Sequence, residues 1–282
     1  MQRLALSTLL ALGSAHAAAS TLPSPAAAPL SDEARYGHPD QALQITPYLW
    51  AASLNGSVSP FRRGPAVDVD KSFSDVMDGF NVGGFLHLWA RQDRWVFSGE
   101  LMYVDTSDSH ASGPLPAFQI PELGVMLPPG AQVEAKVDSR QFMATLLGGY
   151  RIVESPQYTL DLLGGMRFWH VSNEITVNAS HPLIGSQKAS HGENFSWADP
   201  LVGVRLFIPL TERFSFQSQA DVGGAGVGAD YTWSVFATAS YTVTENLSAS
   251  LGYKALKVDY DRRGHLYDVL LSGPVAGVTW RF

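Results

Sequence analysis

The carboxyl-terminal stretch of the chain, Leu266 to Phe282, reads LYDVLLSGPVAGVTWRF and alternates between two kinds of side chain. Counted back from the terminus, Phe282, Trp280, Val278 and Ala276 fall on one face, and Arg281, Thr279, Gly277 and Val275 fall on the other. Side chains of a β-strand point alternately to its two faces, so the stretch is predicted to be a strand with one aromatic face. Membrane barrels place aromatic residues where strands meet the interface, and the pattern therefore favours such a barrel.

Within this strand, Gly277, Trp280 and Phe282 form the pattern Gly-x-x-Trp-x-Phe. The pattern resembles the carboxyl-terminal assembly signal of Gram-negative outer-membrane β-barrel proteins. The resemblance implies an all-β fold and a location in the cell outer membrane. It also implies that the barrel-assembly machinery recognises these three residues and is a partner of the chain.

The composition is that of a membrane barrel. Of the 282 residues, 45% are hydrophobic, 11% aromatic and 16% charged, whereas an average soluble domain has roughly 25% charged residues. The mean hydropathy is nevertheless zero, and after the amino terminus no run approaches the roughly 18 apolar residues of a membrane helix. Alternating apolar and polar residues cancel in this way in barrel strands. The absence of cysteine excludes a disulfide scaffold and thiolate metal sites.

The first 42 residues divide into two predicted segments. Residues 1–17 have the features of a secretory signal peptide, with Arg3 before an apolar core and Ala15 and Ala17 at the cleavage site. Residues 18–42 are rich in Pro and Ala and are predicted to be a disordered linker, which leaves 43–282 as the barrel domain. Removal of Arg3 with the signal changes the formal net charge from −7 to −8. A net acidic chain argues against nucleic acid as a partner.

From Leu43 onward, predicted strands alternate with turns. The strands are predicted near 44–56, 80–91, 94–106, 132–153, 157–177, 197–210, 213–223, 230–243, 246–259 and 266–282. Tight connections alternate with longer ones near 57–78, 107–131, 179–196, 223–229 and 260–265. Short turns on one rim and long loops on the other are typical of outer-membrane barrels, with the short turns in the periplasm. The predicted fold is therefore a transmembrane antiparallel up-and-down β-barrel of ten strands, with eight or twelve as alternatives.

Two local features depart from this regular pattern. Pro47 and Pro274 lie inside the first and last strands, and because proline cannot donate to a sheet ladder, both are predicted to sit at bulges. Residues 71–80 (KSFSDVMDGF) carry apolar residues at helical spacing. They are predicted to form a short helix in the first outer loop, lying on the rim or folded into the lumen.

The first strand and the loop after it carry a second resemblance. Residues 45–50 (ITPYLW), 67–70 (VDVD) and 72–75 (SFSD) resemble the corresponding parts of a group of proteobacterial outer-membrane barrels without an assigned activity. With the terminal motif, this resemblance covers most of 43–282. It implies fold and location and carries no assigned activity, and no cofactor is predicted.

The polar faces of the predicted strands place charged residues in the lumen. The predicted lumen network is Glu100, Asp161, Arg167, Arg205, Asp221 and Lys254, with Gln217, Gln219 and His87 as further candidates beside it. Because a ten-stranded barrel has little internal room, these charges are predicted to pair and plug a structural barrel. The alternative is a narrow porin-like channel for small solutes, lined by the same residues.

A hydrolase acting at the outer rim is the second alternative. Its candidate residues are His87, His170, Asp105 with Asp108 and His110, and His181 with His191, none in a recognisable catalytic spacing. No metal site is predicted, because the histidines are scattered over different loops.

The outer loops supply candidate contacts. Loop 107–131 is apolar in part and is predicted to cover the barrel mouth as a lid, or else to meet a ligand. Lipid and lipopolysaccharide are the expected partners, and Arg62 with Arg63 could bind lipopolysaccharide phosphates or could be ordinary solvated surface.

Overall fold

The computed structural model describes residues 41–59, 62, 66–115, 118–120, 125–127, 131–181 and 185–282. The predicted signal peptide, most of the predicted linker, and Arg63 lie outside these residues. The first strand begins at Gln41, two residues before the predicted start of the barrel domain.

Fourteen strands and one short helix make up the described part of the chain. In chain order the elements are β1 (Gln41–Trp50), β2 (Ser53–Ser59), β3 (Val67–Lys71), α1 (Phe73–Asp78), β4 (Phe80–Gln92), β5 (Trp95–Leu115), β6 (Phe118–Ile120), β7 (Val125–Leu127), β8 (Ala131–Glu154), β9 (Thr159–His181), β10 (Gly185–Pro209), β11 (Phe214–Gly224), β12 (Tyr231–Thr242), β13 (Leu247–Arg262) and β14 (His265–Arg281). No helix among the described residues has the length and apolar character that crossing a membrane requires.

Ten of these strands close into an antiparallel barrel. Their order is β1–β4–β5–β8–β9–β10–β11–β12–β13–β14, and β14 pairs with β1 to complete the ring. The strands β2 and β3 extend the sheet beside the outer half of β14, and β6 pairs with β7 alone. The predicted ten-stranded up-and-down barrel is confirmed.

The outside of the barrel carries an apolar band. Along β11 and β12, Phe214, Val222, Val235 and Tyr241 are exposed, whereas the alternate residues, such as Asp221, are buried inside, as the strand alternation predicts. Aromatic residues mark both ends of the band. Trp95, Tyr150, Tyr158, Tyr241 and Trp280 lie toward the tight turns, and Tyr103, Phe142, Phe168 and Tyr231 lie toward the opposite rim. An apolar outside with aromatic girdles is the lipid-facing surface of an outer-membrane barrel.

Four neighbouring strands are longer than the bilayer requires. β5, β8, β9 and β10 have 21, 24, 23 and 25 residues, whereas roughly 9–11 residues cross a membrane. Their outer halves stand beyond the lipid band as a four-stranded extension, so the predicted loops 107–131 and 179–196 are wrong over most of their length. Outside the bilayer the sheet needs no apolar outer face, and apart from Phe195 and Trp197 the sequence there shows little alternation that would reveal a strand. Backbone pairing with the neighbouring strands forms the sheet regardless of side chain.

The predicted outer loop at 260–265 is also wrong. β13 and β14 are joined by two residues only, Arg263 and Gly264, whose φ angles are 57° and 84°. Two consecutive residues with positive φ are the requirement of a tight hairpin turn of the kind that matches strand twist.

The prolines do not sit at bulges, contrary to prediction. The pairing of β14 with β1 and then β2 keeps one register throughout. On the side of β14, backbone pairing is interrupted at Thr46 and Pro47, because proline has no N–H to donate. At this point the hydroxyls of Thr46 and Thr279 form a hydrogen bond of 2.9 Å. Pro274 faces the break between β1 and β2, and its carbonyl accepts from Ala51 N at 2.9 Å.

The predicted short helix is confirmed as α1. Ser72 caps its first turn, and Asp75 returns a bond to the Ser72 backbone in a reciprocal capping box. The Ser72 hydroxyl, and then its N–H, hold the pKa of Asp75 below its ordinary value. Because no residue of α1 is buried, the helix does not fold into the lumen.

Candidate functional site

The six predicted lumen residues all lie inside the barrel. They come from five strands, and Asp161, Arg167 and Arg205 are completely buried. Alternation along each strand turns them inward, while the apolar residues between them face outward. They do not form one network, because the structure sorts them into three separate clusters.

The first cluster places Asp161 between two guanidinium groups. Arg151 Nε donates to Asp161 Oδ1 at 2.9 Å, and Arg205 Nη1 donates to Oδ2 at 3.3 Å. Arg205 also donates to Gln217 Oε1 at 2.9 Å and lies 4.4 Å from the ring of Trp89. Arg151 was not among the predicted residues, although it falls on the inner face of β8.

The second cluster is an ion pair in which one guanidinium nitrogen contacts both carboxylate oxygens. Arg167 Nη2 lies 2.9 Å and 3.1 Å from the two carboxylate oxygens of Asp221. The remaining guanidinium nitrogens donate to the Thr145 hydroxyl at 3.0 Å and the Thr232 hydroxyl at 3.2 Å. All three donor nitrogens of Arg167 therefore have partners, which is what a fully buried charge requires.

The third cluster joins Lys254, Glu100 and Tyr48. Lys254 Nζ forms an ion pair with Glu100 and donates to the Tyr48 hydroxyl at 3.1 Å, and the Tyr48 hydroxyl in turn donates to Glu100. The ammonium group lies 4.7 Å from the ring of Trp50. His87 is buried nearby, with Nε2 3.3 Å from the Ser98 hydroxyl, which bonds Gln219.

The charges of the three clusters are paired, and a small cavity lies between two of the clusters. The four cations Arg151, Arg167, Arg205 and Lys254 face Glu100, Asp161 and Asp221, and Glu154 lies 3.6 Å from Arg151. A cavity of about 10 Å³ lies between the second and third clusters, lined by Tyr48, His87, Glu100, Gln219, Asp221, Ser234 and Phe236. That volume holds about one water molecule.

Stacked aromatic rings fill the barrel above the charged clusters. Trp197 lies 5.6 Å from Trp169, 5.7 Å from Phe195 and 4.3 Å from Tyr260, each pair nearly parallel. His265 stacks on Phe195 at 4.4 Å. The sequence did not single out this cluster, because Phe195 fell in a predicted loop. Its strand alternation with Trp197 was the available signal.

The candidate hydrolase residues are dispersed. His87 is inside the barrel, Asp105 pairs with Arg140 at 3.1 Å and Asp108 pairs with Lys71. His170 faces outward, with Nδ1 2.7 Å from the Ser196 hydroxyl. His191 is exposed, and the side chains of His110 and His181 lie outside the description. Within the described residues no group of three metal-binding side chains is present.

The predicted assembly signal lies at the seam that closes the barrel. Trp280 and Phe282 are exposed on the outer face of β14 and at its end, and Phe282 N donates to Leu43 O at 3.0 Å. Gly277 pairs with Tyr48 across the seam. Arg62, the candidate for lipopolysaccharide contact, lies at the mouth, where its backbone N donates to Glu193 Oε2 at 2.6 Å.

Comparison with solved structures gives neighbours of one architecture. The outer-membrane protease OmpT from Escherichia coli superposes with a TM-score of 0.52 at 13% identity, covering 86% of this chain and 97% of that chain. The translocator domain of the autotransporter NalP from Neisseria meningitidis gives 0.45 at 12% identity, covering 87% and 90%. Ail, the attachment invasion locus protein of Yersinia pestis, gives 0.32 at 13%, covering 86% and 99%. No protein-family model and no curated protein sequence matches the chain.

The fold and the site together define the class of this protein. A closed ten-stranded barrel with a lipid-facing band and a polar interior is an outer-membrane β-barrel. At 13% identity, the likeness to OmpT concerns the fold alone.

Proposed function

We propose that this protein is a structural outer-membrane barrel whose polar lumen is plugged and does not conduct. The observation that carries the proposal is the pairing of the charges in the three buried clusters, with a cavity of about one water molecule between the second and the third. Neither an enzyme activity nor a cofactor is part of this proposal.

The paired interior disfavours the alternative of a narrow channel. A conducting pore keeps its lining hydrated, so that ions can exchange water for polar groups as they pass. Here Arg167, Arg205 and Asp161 have no exposed surface, and the aromatic cluster lies across the lumen above them.

Planar-bilayer recording of the purified full-length protein tests the proposal. We expect no discrete current steps above the bilayer baseline, with a known porin in the same preparation as the positive control. Reproducible unitary conductance, altered by Arg167→Gln, would establish the channel instead.

A rim hydrolase is the second candidate, and one contact favours it. His170 and Ser196 form an exposed hydrogen bond on the outward face, near Phe168 at the outer end of the lipid band. A catalytic histidine also needs a third group to orient it, and no such partner of His170 occurs among the described residues. Labelling of the protein with a serine-reactive fluorophosphonate tests this candidate. A hydrolase with Ser196 as its nucleophile should be labelled, and Ser196→Ala should abolish the labelling.

The proposed partners are those that a barrel of this class meets during and after assembly. The apolar band supports contact with outer-membrane lipid and lipopolysaccharide. The exposed Trp280 and Phe282 at the seam support recognition by the barrel-assembly machinery.

A further inference from the structure

One side of the outer half of β10 has no strand beside it. β9 pairs with β10 along its length, from Gly185 to Phe207. On the other side, β11 pairs only with Leu201 to Pro209. Residues 185–200 are therefore an edge of the sheet, as far as the described residues extend.

The part of this edge nearest the membrane is covered by the turn between β11 and β12. Ala229 N donates to Asp199 Oδ1 at 2.6 Å, and a Cβ on Gly228 would lie 2.6 Å from Ala198 O. Above the turn, no strand among the described residues pairs with this side of β10. Ser190, His191, Gly192, Asn194 and Ser196 are all exposed, and a Cβ added to Gly192 would approach only Asn173 O, at 3.8 Å.

The edge is held in place by its inward side chains. Phe195 and Trp197 are buried in the aromatic cluster, and Glu193 lies 3.5 Å from His265 across the barrel mouth. The backbone of β10 is thereby fixed on its inner face and by β9 on one edge. The other edge presents a row of main-chain groups that no described strand pairs with.

In an antiparallel sheet, each residue points its N–H and C=O to one side and the next residue points them to the other. An edge strand therefore presents N–H and C=O pairs about every 6.8 Å, at two residues per repeat. Natural proteins usually shorten, cover or charge such edges, because another chain can pair with them. We propose that residues 186–197 of β10 form a docking edge for an extended polypeptide segment, which adds to the sheet as a strand continuing the line of β11.

The chemistry of the edge selects this occupant over others. A helix has already bonded its own backbone groups, and lipids and sugars lack amides at the strand repeat. A second copy in the same membrane is disfavoured by symmetry. Two copies share one orientation toward the membrane, so the two-fold axis runs along its normal and brings the β10 strands together parallel rather than antiparallel.

Hydrogen exchange on the full-length protein in detergent provides the first test. We expect every second amide within 186–197 to exchange rapidly, while the alternate amides, bonded to β9, exchange slowly. The amides of 201–207 are the internal reference, because strands lie on both sides of them. Slow exchange at all amides of 186–197 would mean that the edge is already covered and would overturn the proposal.

A peptide probe provides the second test. Residues 172–180 (SNEITVNAS) already pair with 186–194 on the opposite edge, so a capped peptide of this sequence carries side chains suited to β10. We expect millimolar peptide to slow the rapid amides at least tenfold and to leave 201–207 unchanged. Two further peptides, N-methylated at the even or at the odd residues, distinguish backbone pairing from nonspecific adsorption. Only one of these two peptides should fail to slow the exchange of the rapid amides. No protection by the parent peptide, or equal protection by both methylated peptides, would refute the docking edge.

Discussion

At the scale of single residues, the barrel interior is stable because its charges are paired. A lone guanidinium in a confined, water-poor space would cost several kcal/mol, and partners on both sides offset that cost. Asp161 shows this most clearly, since Arg151 and Arg205 each bond one of its oxygens. The paired residues thus also fix the strands relative to one another.

Removing one member of a pair should be costly. For Arg167→Gln we expect a loss of about 3–5 kcal/mol in the free energy of unfolding, because Asp221 is left buried without its cation. Urea titration in detergent micelles, followed by tryptophan fluorescence, measures the loss. Arg213→Gln is the control, since Arg213 is exposed near a tight turn, and it should change stability by less than about 0.5 kcal/mol.

Replacing both members should cost much less. Matched apolar replacements of a buried ion pair are often nearly neutral, so Arg167→Met combined with Asp221→Leu should recover part of the stability lost by Arg167→Gln. The same titration compares the two variants. Single variants of unchanged stability but altered conductance would show that the lumen is hydrated.

At the scale of elements, each membrane strand has one lipid face and one interior face. Ala237 lies on the outer face of β12 between Tyr231 and Tyr241, near the middle of the band. Ala237→Arg should therefore lower the free energy of unfolding by about 2–4 kcal/mol in lipid vesicles. Ser190→Arg, at an exposed site on β10 beyond the band, should cost about 1 kcal/mol or less. Equal costs at both sites would contradict the assignment of the band.

The last strand closes the barrel and ends in the proposed assembly signal. Deleting Phe282 removes the exposed aromatic side chain and the 3.0 Å bond from its N–H to Leu43 O. We expect a loss of correctly assembled protein, measured as the folded fraction in isolated outer membranes. Deleting residues 20–40 should reduce assembly far less, and a similar effect of both deletions would remove the special role of Phe282.

At the scale of the whole molecule, ring closure makes the barrel one cooperative unit. β1 pairs with β4 on one side and β14 on the other, so no barrel strand can leave without breaking two ladders. The protein should therefore fractionate with outer membranes and migrate faster in detergent gels when unheated than when boiled. Recovery in the soluble periplasm, or identical migration of both samples, would argue against the closed barrel in the cell.

Prediction from sequence succeeded where the bilayer imposes a pattern on the side chains. β11 and β12 were predicted almost to the residue, because lipid on one side and a packed polar interior on the other enforce strict alternation. The outer halves of β8, β9 and β10 were missed, because water on the outer face permits Ser, Asn, Glu and Lys without a regular period. The prediction of bulges at Pro47 and Pro274 was wrong. An interruption of the backbone pairing beside each proline accommodates the missing N–H donor, and no extra residue is inserted in the strand.

The sequence by itself determined the class of fold, the inward set of charges and the short helix α1, since each follows from a local period or cap. The pairing partner of each buried charge was decided only by the tertiary structure. Arg167 and Asp221 are 54 residues apart in the chain. Their contact depends on the strand register and on the curvature of the sheet, which brings the inner faces of β9 and β11 together across β10. The aromatic cluster and the part of β10 that no described strand pairs with on one side likewise depend on which strands end early. No local pattern encodes them, because each depends on distances between strands that only ring closure sets.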